Sequence, residues 1–363
     1  VVRLVGSEMC IRDRLKASAG GGGKGMRIVR KDRELEENFI AAKSESKKSF
    51  GDDRVFIEKY IEQPRHIEIQ ILCDKHGNQI HLGERECSIQ RRYQKVIEEC
   101  PSPFVDEDMR NEMASQALIL AKEVKYDSAG TVEFVVDSKK NFYFLEMNTR
   151  LQVEHPVTEL VTGIDLVEQM ILSADNKKLA IRQEDIKLNG WSVESRIYAE
   201  DPTKDFLPSI GRVTRYIEPK KIEKDYEVIR NDTGISPGSE VSLYYDPMIS
   251  KLAVHSKDRI SAINLMINSL QNYYLSGLEN NIDFLIAILE DKKFQKGEIS
   301  TNFIKEKFKK GYSSNLTMTD DKRQKFGIIA MLMYAKQSFN LSNVISKIFS
   351  LSLIHISEPT RRT

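Results

Sequence analysis

Two glutamates, Glu133 and Glu146, sit where the sequence alone implies chemistry. Residues 131–137 (TVEFVVD) and 141–147 (NFYFLEM) are rich in β-formers and flank Ser138-Lys139-Lys140-Asn141, which predicts a hairpin. Centring its turn between Lys139 and Lys140 puts Glu133 directly opposite Glu146. Carboxylates facing one another have Cβ atoms roughly 4.5–5.5 Å apart and repel unless a cation lies between them. A hard divalent ion, magnesium or manganese, suits such a pair because it takes a few carboxylate oxygens and completes its shell with phosphate oxygens and water. The plain alternative is two solvent-facing glutamates on a surface hairpin. Against it stands the run EMNTRLQVEHP, in which Asn148, Arg150, Gln152, Glu154 and His155 follow at once.

A second candidate lies near the start. In KASAGGGGKGM, Gly20, Gly21, Gly22 and Gly23 stand between Lys16 and Lys24. Glycines let bare backbone N–H groups approach phosphate oxygens without Cβ interference, and the lysines supply charge. The Walker pattern is not met, because Gly25-Met26 follows Lys24 where that pattern needs Ser or Thr. Taken alone, the segment fits a flexible linker as well as a mobile phosphate cover.

The elements that must hold these groups follow from periodicity. Residues 32–47 read as a charged helix and 54–61 as a strand. Residues 66–74 and 79–89 read as a hairpin about Lys75-His76-Gly77-Asn78. Residues 106–124 space Met109, Met113, Ala117, Leu120 and Val124 as one helix face, with Asp106 as N-cap. Strands are expected at 190–200, 211–218, 227–232 and 251–255, and helices at 258–274, 280–290 and 320–342. Strands and helices intermix without a βαβ rhythm, so the class is α+β, with a domain junction near Asn189-Gly190.

Composition limits the function classes. The 363 residues carry 55 Lys+Arg against 54 Asp+Glu, a balance that gives no basis for a nucleic-acid partner. The longest apolar run, 326–334, falls far short of the ~20 residues that cross a bilayer, so no membrane role is expected. Cys10, Cys73, Cys87 and Cys100 have no C-x-x-C spacing, and a reducing, cytoplasmic setting is the default expectation, with a mitochondrial matrix location left open. Residues 1–14 and 351–363 contain LVGSEMCIRDR and LSLIHISEPTRR, which resemble translated sequencing-adapter strings; both are set aside as non-native tails.

Taken together, KASAGGGGKGM, EKYIEQPRHIEIQ, ECSIQRRYQK, GTVEF, EMNTRLQVEHPVTE and VESRIYAEDP resemble the biotin carboxylases, a branch of the ATP-grasp superfamily. The likeness runs in order from Lys16 to Tyr312, and the stretch 193–215 with NDTG and YYDPMISKL is most like the branch formed by propionyl-CoA carboxylase α subunits. The resemblance implies an ATP-grasp domain over 15–189, a biotin carboxylase C-terminal domain over 190–312, and a helical or linker region over 313–350. It implies that the glycine loop and Lys16 cover ATP, that Glu58, Tyr60 and Ile61 form the adenine hinge, and that His66 and Gln90 add nucleotide contacts. Glu133, Glu146 and Asn148 would hold the metal. Lys95, Arg150, Gln152 and the Val153 backbone would form a bicarbonate pocket, in which Glu154 deprotonates bicarbonate and Arg196 stabilises the biotin enolate.

The implied activity is ATP-dependent carboxylation of biotin through carboxyphosphate, the first half-reaction of an acyl-CoA carboxylase. The implied partners are a biotin carboxyl carrier domain and a carboxyltransferase β subunit in a hetero-oligomer. No segment ahead of Lys16 matches the family's N-terminal domain and no Met-Lys-Met motif is present, so a catalytic fragment of low activity is expected. Two other readings stay open: an ATP-grasp ligase of the carbamoyl-phosphate or purine type, and a non-catalytic nucleotide-binding subunit.

Overall fold

The strands at the centre of the chain alternate apolar and polar residues, and their partners explain why both faces are nonetheless dry. A computed structural model describes residues 13–19, 25–224, 226–313 and 324–338. One antiparallel sheet of nine strands dominates. Its members are β4 (Arg65–Cys73), β5 (Gln79–Arg91), β6 (Gln94–Cys100), β7 (Ser128–Val136), β8 (Phe142–Asn148), β9 (Trp191–Tyr198), β10 (Glu223–Lys224), β11 (Glu227–Thr233) and β12 (Met248–Ser256), in the order β10-β11-β12-β9-β6-β5-β4-β7-β8. The strands on either side of Asn189-Gly190 therefore share one sheet, joined where β6 pairs with β9.

Helix α2 (Glu107–Glu123) covers one face, burying Met109, Met113 and Ala117 against Ile67, Ile69, Ile71 and Phe134. The Asp106 side chain accepts from the Met109 amide, the N-cap that its position predicts. On the other face, α3 (His155–Thr162) packs over β5, β6, β9 and β12, and α4 (Leu166–Ala174) over β7. These helices roof the polar positions of β4, so Glu68 and Gln70 are as buried as the isoleucines between them. Helices α5 (Arg259–Gln271) and α6 (Ile282–Leu289) build a second core with Val193, Ile197, Leu252 and Val254.

A smaller sheet sits apart in the sequence. It is ordered β2 (Met26–Val29), β1 (Asp13–Ala17), β3 (Val55–Lys59), and α1 (Leu35–Phe50) packs on it through Phe39 and Ala42. Strand β1 begins inside the stretch set aside as a tail, and Lys16 lies on it; the expectations for Gly20, Gly21, Gly22 and Gly23, and for the terminal strings outside Asp13 and Arg14, fall outside the described residues.

Several expectations need correction. Strand β6 and helices α3 and α4 were not anticipated; β6 is short and half charged, and the helices follow directly on a run that reads as site rather than element. Residues 211–218 form two short strands with different partners, Gly211–Arg212 on Glu240–Val241 and Arg215–Ile217 on Tyr274–Ser276, so the expected helix over 258–274 stops at Gln271. Within the separate unit from Ser314, a helix spans 324–338, inside the range expected for one.

The β7–β8 hairpin has the expected pair but reaches it differently. Glu133 pairs with Glu146, while Phe134, Val135 and Val136 pair with Phe144, Tyr143 and Phe142. The turn is thus centred on Lys139, and a bulge at Leu145 restores the register that the sequence arithmetic assumed.

Gly190 enters β9 at φ 68°, and a Cβ there would stand 2.5 Å from the Ser256 carbonyl oxygen. We expect Gly190→Ala to destabilise the fold by about 1–3 kcal/mol; urea unfolding with an unchanged midpoint would contradict that close approach.

Candidate active site

Lys95 on β6 brings the site together. Its Nζ lies 2.6 Å from Glu68 Oε2, 3.1 Å from Glu133 Oε1 and 2.5 Å from Glu154 Oε1. Burial would discharge an isolated lysine, but the carboxylates of Glu68, Glu154 and Glu133 outweigh it and hold the ammonium well above its ordinary pKa. Lys95 also lines a cavity of about 540 Å³ that contains Lys16, Glu133, Glu146, Glu154 and Arg196.

Glu133 and Glu146 face this cavity from neighbouring strands. Glu133 is buried, accepts hydrogen bonds from Lys95, Asn148 Nδ2 at 3.1 Å and Gln152 Nε2 at 2.8 Å, and has His66 Nε2 3.0 Å away. Burial pushes its pKa up, and the His66, Lys95 and Gln152 contacts more than reverse that, leaving it well below the carboxylate range. Gln90 Nε2 donates to His66 Nδ1 at 2.7 Å, which orients the ring with its other nitrogen towards Glu133. Glu146 is half-exposed, 3.7 Å from Lys16 Nζ. Together with Asn148 these give an all-oxygen donor set on one wall, which fits a hard divalent cation.

Beneath this wall lies a layer that the motifs did not single out. Glu68, opposite Glu133 in the β4–β7 ladder and fully buried, is bonded at 2.5 Å by Arg85 Nε. Arg85 is itself fully buried and spends its other donors on Gln70, Thr158, Thr131 and Gln152. Burial raises the Glu68 pKa, but Arg85 and Lys95 dominate and bring it down to about 2. Gln152 is locked at both ends, its oxygen on Arg85 at 2.8 Å and its nitrogen on Glu133. The polar half of the HIEIQI alternation and an arginine midway along β5 were the available signals, and they read as a solvated face until α3 is known to cover them.

The far end of the cavity belongs to Glu154 and Arg196. Glu154 stands at the N-terminus of α3, where the helix dipole favours its charge, and bridges Lys95 to Arg196 Nη2 at 2.9 Å. Burial and Glu68 push its pKa up; Lys95, Arg196 and Arg85 bring it below the ordinary value, so it is ionised. Arg196 also donates to Glu98 Oε1 at 2.6 Å. Arg150 is exposed beside Asn148, and the Val153 carbonyl accepts from Lys251 Nζ at 2.7 Å.

A neighbouring cavity of about 690 Å³ carries Tyr60, Ile61, His66 and Gln90. Glu58 lines neither cavity; it is bound by Arg14, its partner across β1 and β3, and Arg14 lines both. Of the basic pair in QRRYQK, Arg92 is exposed, whereas Arg91 stacks 4.0 Å over Phe206 and pairs with Glu200 rather than facing solvent. Cys87 is fully buried, the small core residue its surroundings suggest.

Comparison with known proteins fits this geometry. Residues 13–182 match the family model of the carbamoyl-phosphate synthase L chain ATP-binding domain, and residues 194–306 that of the biotin carboxylase C-terminal domain. The chain belongs to the biotin carboxylase family. It is 55% identical over 333 residues to the propionyl-CoA carboxylase α chain of Ruegeria pomeroyi (87% of this chain, 49% of that one) and 54% identical over 324 residues to the mitochondrial α chain of Homo sapiens (89% and 44%). Among solved structures it is similar to a biotin carboxylase–β,γ-ATP complex from Campylobacter jejuni, with TM-score 0.79 and 46% identity over 82% of this chain and 66% of that one. A biotin carboxylase domain of Hydrogenobacter thermophilus 2-oxoglutarate carboxylase, in complex with MgADP, ADP and bicarbonate, gives TM-score 0.79 and 47% identity over 82% and 65%. The chain spans about half the length of the curated relatives it matches.

Because the folded pKa of Glu68 is depressed, its stabilisation is complete above about 4.5 and disappears as pH falls towards about 2. In Glu68→Gln this contribution is absent, so urea midpoints of variant and wild type should differ most at neutral pH and converge on acidification through that window. A constant difference across the window would contradict the assignment.

Proposed function

We propose that this chain carries out ATP-dependent carboxylation of biotin with bicarbonate, the first half-reaction of an acyl-CoA carboxylase of the propionyl-CoA type. The observation that carries the reading is the clamp on Glu154: one ionised carboxylate held between Lys95 and Arg196, in the same cavity as Glu133 and Glu146. That is one base, two fixed cations and an all-oxygen metal wall around one space. The relatives' names and the nucleotide and bicarbonate complexes of similar structures support it.

In this reading ATP lies across the two cavities, with adenine near Tyr60 and Ile61, the glycine loop and Lys16 at its phosphates, and His66 and Gln90 between. Glu133, Glu146 and Asn148 would hold magnesium or manganese, which when bound neutralises phosphate charge. Bicarbonate enters beside Arg150, Gln152 and the Val153 backbone. Lys95 and Arg196, which both contact Glu154, turn part of their charge to the incoming anion. Glu154 loses counter-charge as they do so, becomes more basic and takes the bicarbonate proton. Arg196 then offers a planar donor fork to the oxyanion that develops on biotin.

Biotin would arrive on a carrier domain, and a carboxyltransferase β subunit would use the product. The division into 15–189, 190–312 and 313–350 is the proposed domain organisation. An ATP-grasp ligase of the carbamoyl-phosphate type shares the nucleotide half but gives no role to the Arg196–Glu154–Lys95 clamp, and the C-terminal match favours biotin.

Glu154→Ala should lower bicarbonate-dependent ATP cleavage by about 10²-fold or more while leaving ATP binding nearly intact; equal loss of both would refute the role of base. Glu146→Gln should raise the magnesium concentration needed for half-maximal cleavage, measured by titration at saturating ATP. An unchanged magnesium requirement would remove Glu146 from the metal wall.

A further inference from the structure

One buried acid beside the clamp has no role in the reaction just described. Glu194 on β9 is fully buried, and neither of its carboxyl oxygens has a hydrogen-bond or ion-pair partner among the described residues. It lies directly opposite Glu98 in the β6–β9 ladder, two residues from Arg196 and on the same face of the strand. Glu98 is also fully buried. One of its oxygens accepts from Arg196, and the other, Oε2, has no partner. Two facing carboxyls with three unpartnered oxygens in a dry layer cannot both be charged without a large penalty.

The other acids of this layer each have a cation in contact: Glu68 has Arg85 and Lys95, Glu133 has Lys95, Glu154 has Lys95 and Arg196, and Glu98 has Arg196. Glu194 alone among these five has none. The charged groups that act on it are Glu98 across the ladder, Lys251 on β12, Arg196 on its own strand and Glu154 at the start of α3. Lys251 is already used, on the Val153 carbonyl and on Asp232 at 3.4 Å.

We propose that Glu194 keeps its proton at neutral pH and directs it at the unpartnered oxygen of Glu98, so that Glu98 presents one fixed acceptor to Arg196. Glu194 is then a positioning residue for Arg196. The electrostatics agree: burial first, and Glu98 second, push the Glu194 pKa far up. The consequence rests on the role proposed above for Arg196 in the biotin step, but the protonation itself does not.

The test uses the full chain and two variants, Glu194→Gln and Glu194→Leu. Infrared spectra at neutral pH should show a protonated-carboxyl band in the wild type that Glu194→Gln removes; this readout needs no activity. In ATP cleavage with bicarbonate, stimulation by free biotin should survive in Glu194→Gln, which still donates to Glu98. In Glu194→Leu it should fall by about ten- to a hundredfold through misplacement of Arg196. Absence of a Glu194-dependent band, or equal effects of the two variants on biotin stimulation, overturns the proposal. A wild type that shows the band but no biotin stimulation leaves the buried proton standing and removes the biotin reading. Should Glu194→Leu fail to fold, the infrared comparison with the isosteric Glu194→Gln still decides.

Discussion

A single ammonium group, Lys95 Nζ, stands within hydrogen-bond distance of carboxylates from β4, β7 and the N-terminus of α3. Three acids from three elements cannot share a dry space without such a centre, because each would otherwise be forced to take up a proton. The fully buried Arg85 completes the balance from below, fixing Glu68 and, through Gln152, Glu133. The site is therefore a lattice of alternating charge in which no member is placed by its own strand alone. Such a lattice is preorganised: its charges are already desolvated and oriented.

The fold exists to make that lattice possible. A continuous sheet carries Glu133, Glu68, Arg85, Lys95, Glu98 and Arg196 on neighbouring strands, and one of its cores spans the β6–β9 seam, joining Val96 and Ile97 to Val193 and Ile197. Because β6 pairs with β9, the residues matched to the ATP-binding model and those matched to the C-terminal model meet inside one sheet. A cation from each side, Lys95 and Arg196, grips the same carboxylate, Glu154.

Much of this was legible in the sequence. The two hairpins and the capped helix carry strong local signals, and the pairing of Glu133 with Glu146 follows from turn arithmetic, although the bulge at Leu145 was invisible to it. Motif likeness collected Lys95, Glu154 and Arg196, which no local pattern connects. What could not be read was the role of Glu68, Arg85 and Glu194. Each occupies the polar half of an alternating strand, the pattern of a sheet with one wet face, and only tertiary packing by α3 turns that face into an interior. Buried charge is thus a property of the roof over a strand, not of the strand.

The most direct measurement follows the carbon atom. With ATP, magnesium, labelled bicarbonate and free biotin, the account predicts label in acid-labile carboxybiotin, formed only when ATP is present. Label that never reaches biotin while ATP is cleaved without regard to bicarbonate would contradict it.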